Sequence, residues 1–447
     1  MLRQALIAGG GIGGLAAALA VSRAGWDVRL YERASVFSEV GAGIQLGPNV
    51  VKVLHGWGLA DALAGVAAFP ERLEVRSALT GETLGVLRLG DVMAQRYGAP
   101  YATVHRADLH GLLLDAVQQA GVTLKLNRTL NRFTQNLEAV TVQSGDDPPV
   151  EGEVLVGADG LWSPVRQWLL GDGPPRATGH VAYRALLPQA DLPDTLRSGQ
   201  VTAWLGPKLH VVQYPVCGGR SLNVVGIVEG RTGGDLDNWD QGTDGAGLHA
   251  ALAGSCAPLQ DLVRAIPAWR LWALCDRPPM QGAYQHALGR VALLGDAAHP
   301  MRPYLAQGAG MAIEDAAELG RMLAQALDPA FDVPTLLGRY ALNRWQRNAR
   351  VQARAIRNGQ IFHADGVVRL GRDASMKLLG ERLLDVPWLY GGRCPAASNF
   401  LLRRQKKVTK EKATRWSGTL RFATGNLRCS PKTGSSSNSL RSDNRSP

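Results

Sequence analysis

Gly9, Gly11, Gly14 and Glu32 have the residue types and spacing that hold a dinucleotide. The glycines lie between an apolar run, "LRQALIA", and a helix-forming run, "LAAALAVSRAG", and Glu32 closes the next apolar run, "WDVRLYER". A glycine turn placed there lets backbone amides approach a pyrophosphate, whose charge meets the positive end of the following helix. A carboxylate 18 residues after Gly14 is placed to accept both hydroxyls of an adenosine ribose.

Two later turns have the same character. "RVALLGDAAHPMRPYLAQGAGMAIEDAAELG" runs an apolar strand into Gly295-Asp296, then passes two prolines before a helix begins near Gln307 with two more glycines, Gly308 and Gly310, in its opening turn. It reads either as a surface turn before a buried helix or as a ligand-holding loop. "VEGEVLVGADGLWSPVRQWLL" gives a strand, an Asp159-Gly160 turn and a helix. Asp159 is either a ligand contact or part of a helix cap at Ser163-Pro164. Arg106 in "HRADLH" opens an amphipathic helix, as a ligand contact or a solvated arginine.

Positioning these turns needs parallel strands followed by helices, which the N-terminal segment and the two later turns supply. From Gly179 to Glu229 the pattern differs: "HVAYRALL", "QVTAWL", "HVVQYPV" and "LNVVGIV" alternate as an antiparallel sheet does. The expected fold class is α/β with an α+β substrate domain. A Rossmann-like dinucleotide domain (1–72, 101–176 and 281–392, the last with C-terminal helices) interleaves with a mostly antiparallel sheet domain (73–100 and 177–280). Residues 393–447 lack periodicity and are expected to be a disordered basic tail. On the sheet, His210 and Tyr214 are four apart and share a face, with Gln213 facing away. Arg184 reads as a carboxylate ligand or a sheet-edge ion pair. Arg347, Arg350, Arg354 and Arg357 read as a solvated helix face.

Composition removes other classes. The net charge of +11 is concentrated from Cys394 onward, where 12 of the 49 Lys and Arg but only 2 of the 38 Asp and Glu lie. The body is near neutral, so no nucleic-acid partner is expected for it. The five cysteines show no metal-site or disulfide spacing, so no metal is expected and a cytoplasmic location follows. Ala5 to Val21 is uncharged, but five glycines in six positions make a poor signal or membrane helix.

Taken together, "GGGIGG" with Glu32, "GADGLWSPVR" and "GDAAHPMRPYLAQGAGMAIEDA" resemble the single-component FAD-dependent aromatic hydroxylases. The branch is that of salicylate hydroxylase, 3-hydroxybenzoate 6-hydroxylase and 6-hydroxynicotinate 3-monooxygenase, and the likeness extends from about Leu2 to Gly391. It implies bound FAD and hydroxylation of a small aromatic with O2 and transient NADH or NADPH, through a flavin hydroperoxide. It implies FAD contacts from Gly9, Gly11, Gly14, Glu32, Arg33, Gln45, Arg106, Asp159, Gly295, Asp296, Gly308 and Ala309. No second glycine fingerprint exists to hold a nicotinamide cofactor. Substrate-side candidates are Tyr214, His210 and Tyr304. Gln45 and Tyr304 stand where the pyridine hydroxylase has histidines, so its acid/base assignment does not carry over. Alternatives are a larger polycyclic or antibiotic-like substrate, or an FAD-bound redox-responsive interaction module with the tail as binding arm. A monomer or homodimer is expected.

Overall fold

The computed structural model describes residues 3–37, 42–230, 241–328 and 330–392. The expected tail therefore lies outside the described residues.

Gln4–Ala8 is an interior strand of a six-stranded sheet. Asp27–Tyr31 and Thr123–Lys125 lie to one side, and Val154–Gly157, Val291–Leu293 and Ala287–Leu288 to the other. All neighbours are parallel except the last pair. Strands buried on both faces need continuous apolar runs, and Val154–Gly157 is buried at every position. The chain order reverses beside Gln4–Ala8, which opens a crevice at the carboxyl ends of the strands. The helices Ile12–Arg23 and Gly308–Leu323 cross closely over this sheet. At Gly320 even a methyl group would meet the Ala20 carbonyl oxygen at 2.8 Å.

The second sheet has eight strands, in the order Gln241–Thr243, Trp269–Asp276, Arg176–Pro188, Ser221–Glu229, Leu209–Val216, Val201–Gly206, Arg72–Ser77 and Thr83–Arg88. It is antiparallel apart from the pairing of Val201–Gly206 with Arg72–Ser77. One face buries Leu209, Val211, Leu222 and Val224 against the short helices Ala246–Ala251 and Ala257–Arg264. The other packs Ala182, Ile227 and Leu274 with Tyr304 and Phe362 of the C-terminal part. Those two short helices, and a three-stranded sheet of Leu130–Gln135, Val140–Ser144 and Val150–Gly152, are additions to the sequence reading.

The 30-residue helix Val333–Phe362, capped by Asp332 on the Thr335 amide at 2.7 Å, runs about 45 Å and ties the halves together. Tyr340 donates to the Leu293 carbonyl at 2.9 Å, Gln352 to Pro300 at 3.1 Å and Asn358 to Tyr304 at 3.0 Å. The expected solvated arginine face needs correction at Arg347. It is buried, bonded to Glu314 at 2.6 and 2.7 Å and to the carbonyls of Trp388 and Leu389. A helix whose next turn packs on Pro387–Tyr390 must satisfy that segment's carbonyls, and a guanidinium does so. Arg350 is exposed but lies over the Trp388 ring at 4.0 Å; Arg357 is exposed and Arg354 half-buried. Among the described residues, no helix is long and apolar enough to cross a membrane.

Candidate functional site: the crevice and the chamber beside it

Four parallel strands end at one edge of the six-stranded sheet. Immediately beyond their carboxyl ends stand Gly9, Glu32, Asp159 and Gly295. Gly9 has φ +102, and a side chain there would strike the Ala158 carbonyl oxygen at 2.4 Å. Gly14 closes still harder, 1.9 Å from the Gly9 carbonyl oxygen. Gly11 is the opposite case: a side chain there would meet nothing within 4 Å. It is the N-cap of Ile12–Arg23, with no side-chain cap on the helix amides and no acidic residue in the first turn. Bare amides facing open space suit an anion.

Glu32 is engaged locally. Its oxygens accept from the Gly10 amide at 2.6 Å and the Ala34 amide at 2.8 Å, which braces the turn and leaves further lone pairs for a ribose. His110 adds a contact from Nε2 to the Gly10 carbonyl oxygen at 2.8 Å, a support that the sequence did not disclose. Arg33 is exposed, and its charge acts on Asp159. Asp159 accepts from Ser163 Oγ at 2.5 Å and the Val165 amide at 3.1 Å, while Ser163 accepts from the Arg166 amide. It thus caps the helix Pro164–Leu170 from a position on the crevice wall. Burial pushes its carboxyl up to about 6, against these hydrogen bonds.

Asp296 is surrounded by protein, which raises its carboxyl pKa through burial against the charges of His299 and Arg106. Its side chain nevertheless stays open to solvent. A group both enclosed and accessible lines a crevice. Because Arg106 acts on Asp296, Gly9 packs on Ala158, and Gly13 and Gly295 both close on Ala312, the three distant turns surround one cleft.

Behind Asp296 lies a buried carboxylate with four hydrogen-bond donors. Asp315 accepts from His299 at 2.5 Å, Arg344 at 2.7 Å, Asn348 at 2.9 Å and the Gly295 amide at 3.3 Å. Burial alone would raise its carboxyl, but His299 and Arg344 outweigh that and hold it far below the ordinary range. Arg166 clamps the same turn from the other side, donating to Ala297 at 3.0 Å and Ala298 at 2.6 Å. Downstream, Gly308 and Ala309 form the half-exposed first turn of Gly308–Leu323, again without a side-chain cap. Gly308 opens on free space, whereas Gly310 is a packing glycine against Val50.

The chamber beside the crevice is visible in the burial pattern. In Leu209–Val216 only Val212 is partly exposed, and its cross-strand partner Val225 is the exception within Ser221–Glu229 apart from that strand's ends. Space therefore opens over this pair, flanked on one strand by His210 and Tyr214. Tyr214 donates to the Gly43 carbonyl at 2.7 Å, and Tyr101 donates to Gln45 at 2.8 Å. Burial raises the pKa of both phenols, so both stay protonated. His210 lies at the other end against Tyr304 and His363, and His180 meets the Tyr304 hydroxyl. The expected shared face of His210 and Tyr214 holds, and Gln213 faces away toward Trp204. Arg184 is not on a sheet edge: it is buried on an interior strand beside Val225, its guanidinium 4.7 Å from the Trp272 ring centre.

Burial also pushes His286 down to about 4, His363 to about 3 and His210 well below the ordinary value. Below pH 6.5 the unfolded chain binds protons that these folded histidines refuse, so stability falls with pH from 6.5 toward 4. Each costs roughly 1 kcal/mol between pH 7 and 5.5, and Asp159, with its raised carboxyl, offsets part of this. Urea unfolding should show a loss of about 2–3 kcal/mol over that interval. A flat profile would contradict the buried neutral histidines.

Residues 3–355 match the FAD binding domain family. The chain belongs to that family. FAD is its cofactor, and the uncapped amides at Gly11 and Gly308, the open face of Gly11 and the accessible Asp296 carboxylate fit it. The chain is 39% identical to the 3-hydroxybenzoate 6-hydroxylase of Polaromonas naphthalenivorans strain CJ2, over 88% of this chain and 97% of that one. It is 38% identical to the 6-hydroxynicotinate 3-monooxygenase of Bordetella bronchiseptica, over 77% of this chain and 88% of that one. The crystal structure of Klebsiella pneumoniae HpxO complexed with FAD and uric acid superposes with a TM-score of 0.75 at 27% identity, covering 88% and 96% of the two chains. This FAD-binding chain is therefore an enzyme of the flavin monooxygenase type.

Proposed function

We propose that the enzyme hydroxylates a monocyclic phenolic acid of the 3-hydroxybenzoate kind, with NAD(P)H and O2 as co-substrates. The observation that carries this is the chamber over Val212 and Val225, bounded along one strand by His210 and Tyr214. Their Cα atoms stand about 13 Å apart, and two side chains reaching inward leave room for about one ring. That supports a single-ring substrate over a polycyclic one.

Bound FAD supplies reduction by the nicotinamide cofactor and oxygen activation. The chain's own part is to hold FAD with Gly9, Gly11, Gly14, Glu32, Arg33, Arg106, Asp159, Gly295, Asp296, Gly308 and Ala309, and to orient the ring. Arg184 brings positive charge beside Val225 for a substrate carboxylate. Tyr214 and Tyr304, kept protonated by burial, serve as hydrogen-bonding phenols rather than bases. Gln45 carries no titratable proton, which favours a benzoate over a hydroxypyridine substrate.

Purified protein loaded with FAD should oxidise NADH faster with 3-hydroxybenzoate than with salicylate, 4-hydroxybenzoate or 6-hydroxynicotinate, and give a dihydroxybenzoate in step with oxygen uptake. Peroxide as the sole oxygen product with all four would overturn the reading.

A further inference from the structure

His210 Nδ1 and His363 Nε2 are 2.8 Å apart, so one must donate and the other accept. The choice is decided by the far side of His363, whose Nδ1 is sealed inside the protein with no hydrogen-bond partner. If that atom carried the proton, a buried N–H would be orphaned, which folded proteins avoid more strictly than an idle acceptor. The favoured arrangement puts the His363 proton on Nε2, donating to His210 Nδ1. His210 then carries its own proton on Nε2. Among the described residues that nitrogen makes no hydrogen bond to protein and is not among the sealed unpartnered atoms, so it is not fully closed off, and its ring stands on the sheet face it shares with Val212.

We propose that His363 is a positioning residue that locks His210 as a hydrogen-bond donor toward the chamber, so that the substrate is bound as its phenolate. This rests on the phenolic-acid reading above. On binding, the phenol O–H bond breaks, its electron pair stays on oxygen, and the proton passes to bulk solvent. The ring is thereby made electron-rich before any oxygen transfer, without a histidine base.

The surroundings agree. The groups facing His363 are His180 and His210 from the sheet, Tyr304 and Arg302 from the loop above, Arg372 from the helix Gly366–Leu379, and Glu229 at the strand end. Burial, then the charges of His180, Arg372 and Arg302, hold His363 neutral, and burial and His363 do the same for His210. A neutral imidazole of such low basicity is a weak base but an able donor. A metal ion shared by His180, Glu229 and His363 is disfavoured. Their ligand atoms lie within 4.8 Å, but the two imidazoles stack at 11°, and in-plane lone pairs of parallel rings do not converge.

The test is calorimetric titration of 3-hydroxybenzoate into the FAD-loaded protein at pH 7.5, in two buffers of different ionisation enthalpy. The native protein should release close to one proton per ligand bound. His363→Phe should release less than half as much and bind at least tenfold more weakly, whereas His363→Gln, which keeps an N–H near the Nε2 position, should restore release. If His363→Phe fails to retain FAD, His363→Asn, whose amide falls short of His210, replaces it. Native-like proton release by the phenylalanine (or asparagine) variant, or no release by the native protein, overturns the proposal. If no hydroxybenzoate perturbs the flavin absorbance of the native protein, the phenolic-acid reading fails and takes this inference with it.

Discussion

Gly11→Val is expected to give a folded but colourless protein. A Cβ at Gly11 meets no protein atom within 4 Å, so valine has room there, and replacing the glycine N-cap should lower the melting temperature without FAD by only a few degrees. The same isopropyl group would stand where the bare amides of Ile12–Arg23 meet the FAD pyrophosphate. Affinity for FAD should fall at least a hundredfold, read as loss of the yellow colour and failure to quench flavin fluorescence. Gly14→Ala makes the contrast, because its methyl group would sit 1.9 Å from a backbone oxygen and the fold itself must shift. A yellow Gly11→Val protein would mean that the open face of the turn is not where FAD binds.

Asp315→Ala should be the most destabilising single change around the crevice. The carboxylate is fully buried and accepts from His299, Arg344, Asn348 and the Gly295 amide. Removing it leaves Glu314, 2.8 Å away, as the one carboxylate bonded to Arg344 among the described residues, beside Asn348 Oδ1 at 3.1 Å, and strands His299 Nε2 and the Gly295 amide without their acceptor. Breaking a buried charge pair from one side costs about 3–5 kcal/mol, a fall in Tm of roughly 4–6 °C for a chain of this size. FAD retention should fall too, since Gly295 positions Asp296. Asp315→Asn, which keeps one acceptor, should lose roughly half as much. An unchanged Tm in Asp315→Ala would show that the network contributes specificity without stability.

The positions legible in the sequence were those whose demands are local. A strand that must turn at positive φ leaves Gly9 and Gly295 in the chain, an open helix start leaves Gly11 and a close backbone approach leaves Gly14, with Glu32 and Asp159 at strand ends. Period-two alternation likewise placed His210 and Tyr214 on one face, because the pleat fixes it whatever surrounds the strand. The partners were not legible. His363, Asn223, Tyr101 and Arg344 look like ordinary polar residues of helix, strand or loop. Yet each bonds a site element far away in the chain: His363 bonds His210, Asn223 the Gly43 amide, Tyr101 Gln45, and Arg344 Asp315. Arg347 was misread for the same reason, since helical spacing shows which residues share a face but not what that face meets. Backbone geometry constrains residue type at the position itself, whereas a long-range hydrogen bond asks only for a donor or acceptor that many side chains supply. The amino-acid sequence thus determined the FAD turns and the two-sheet architecture, and tertiary packing alone decided how they are braced and which way a buried histidine points its proton.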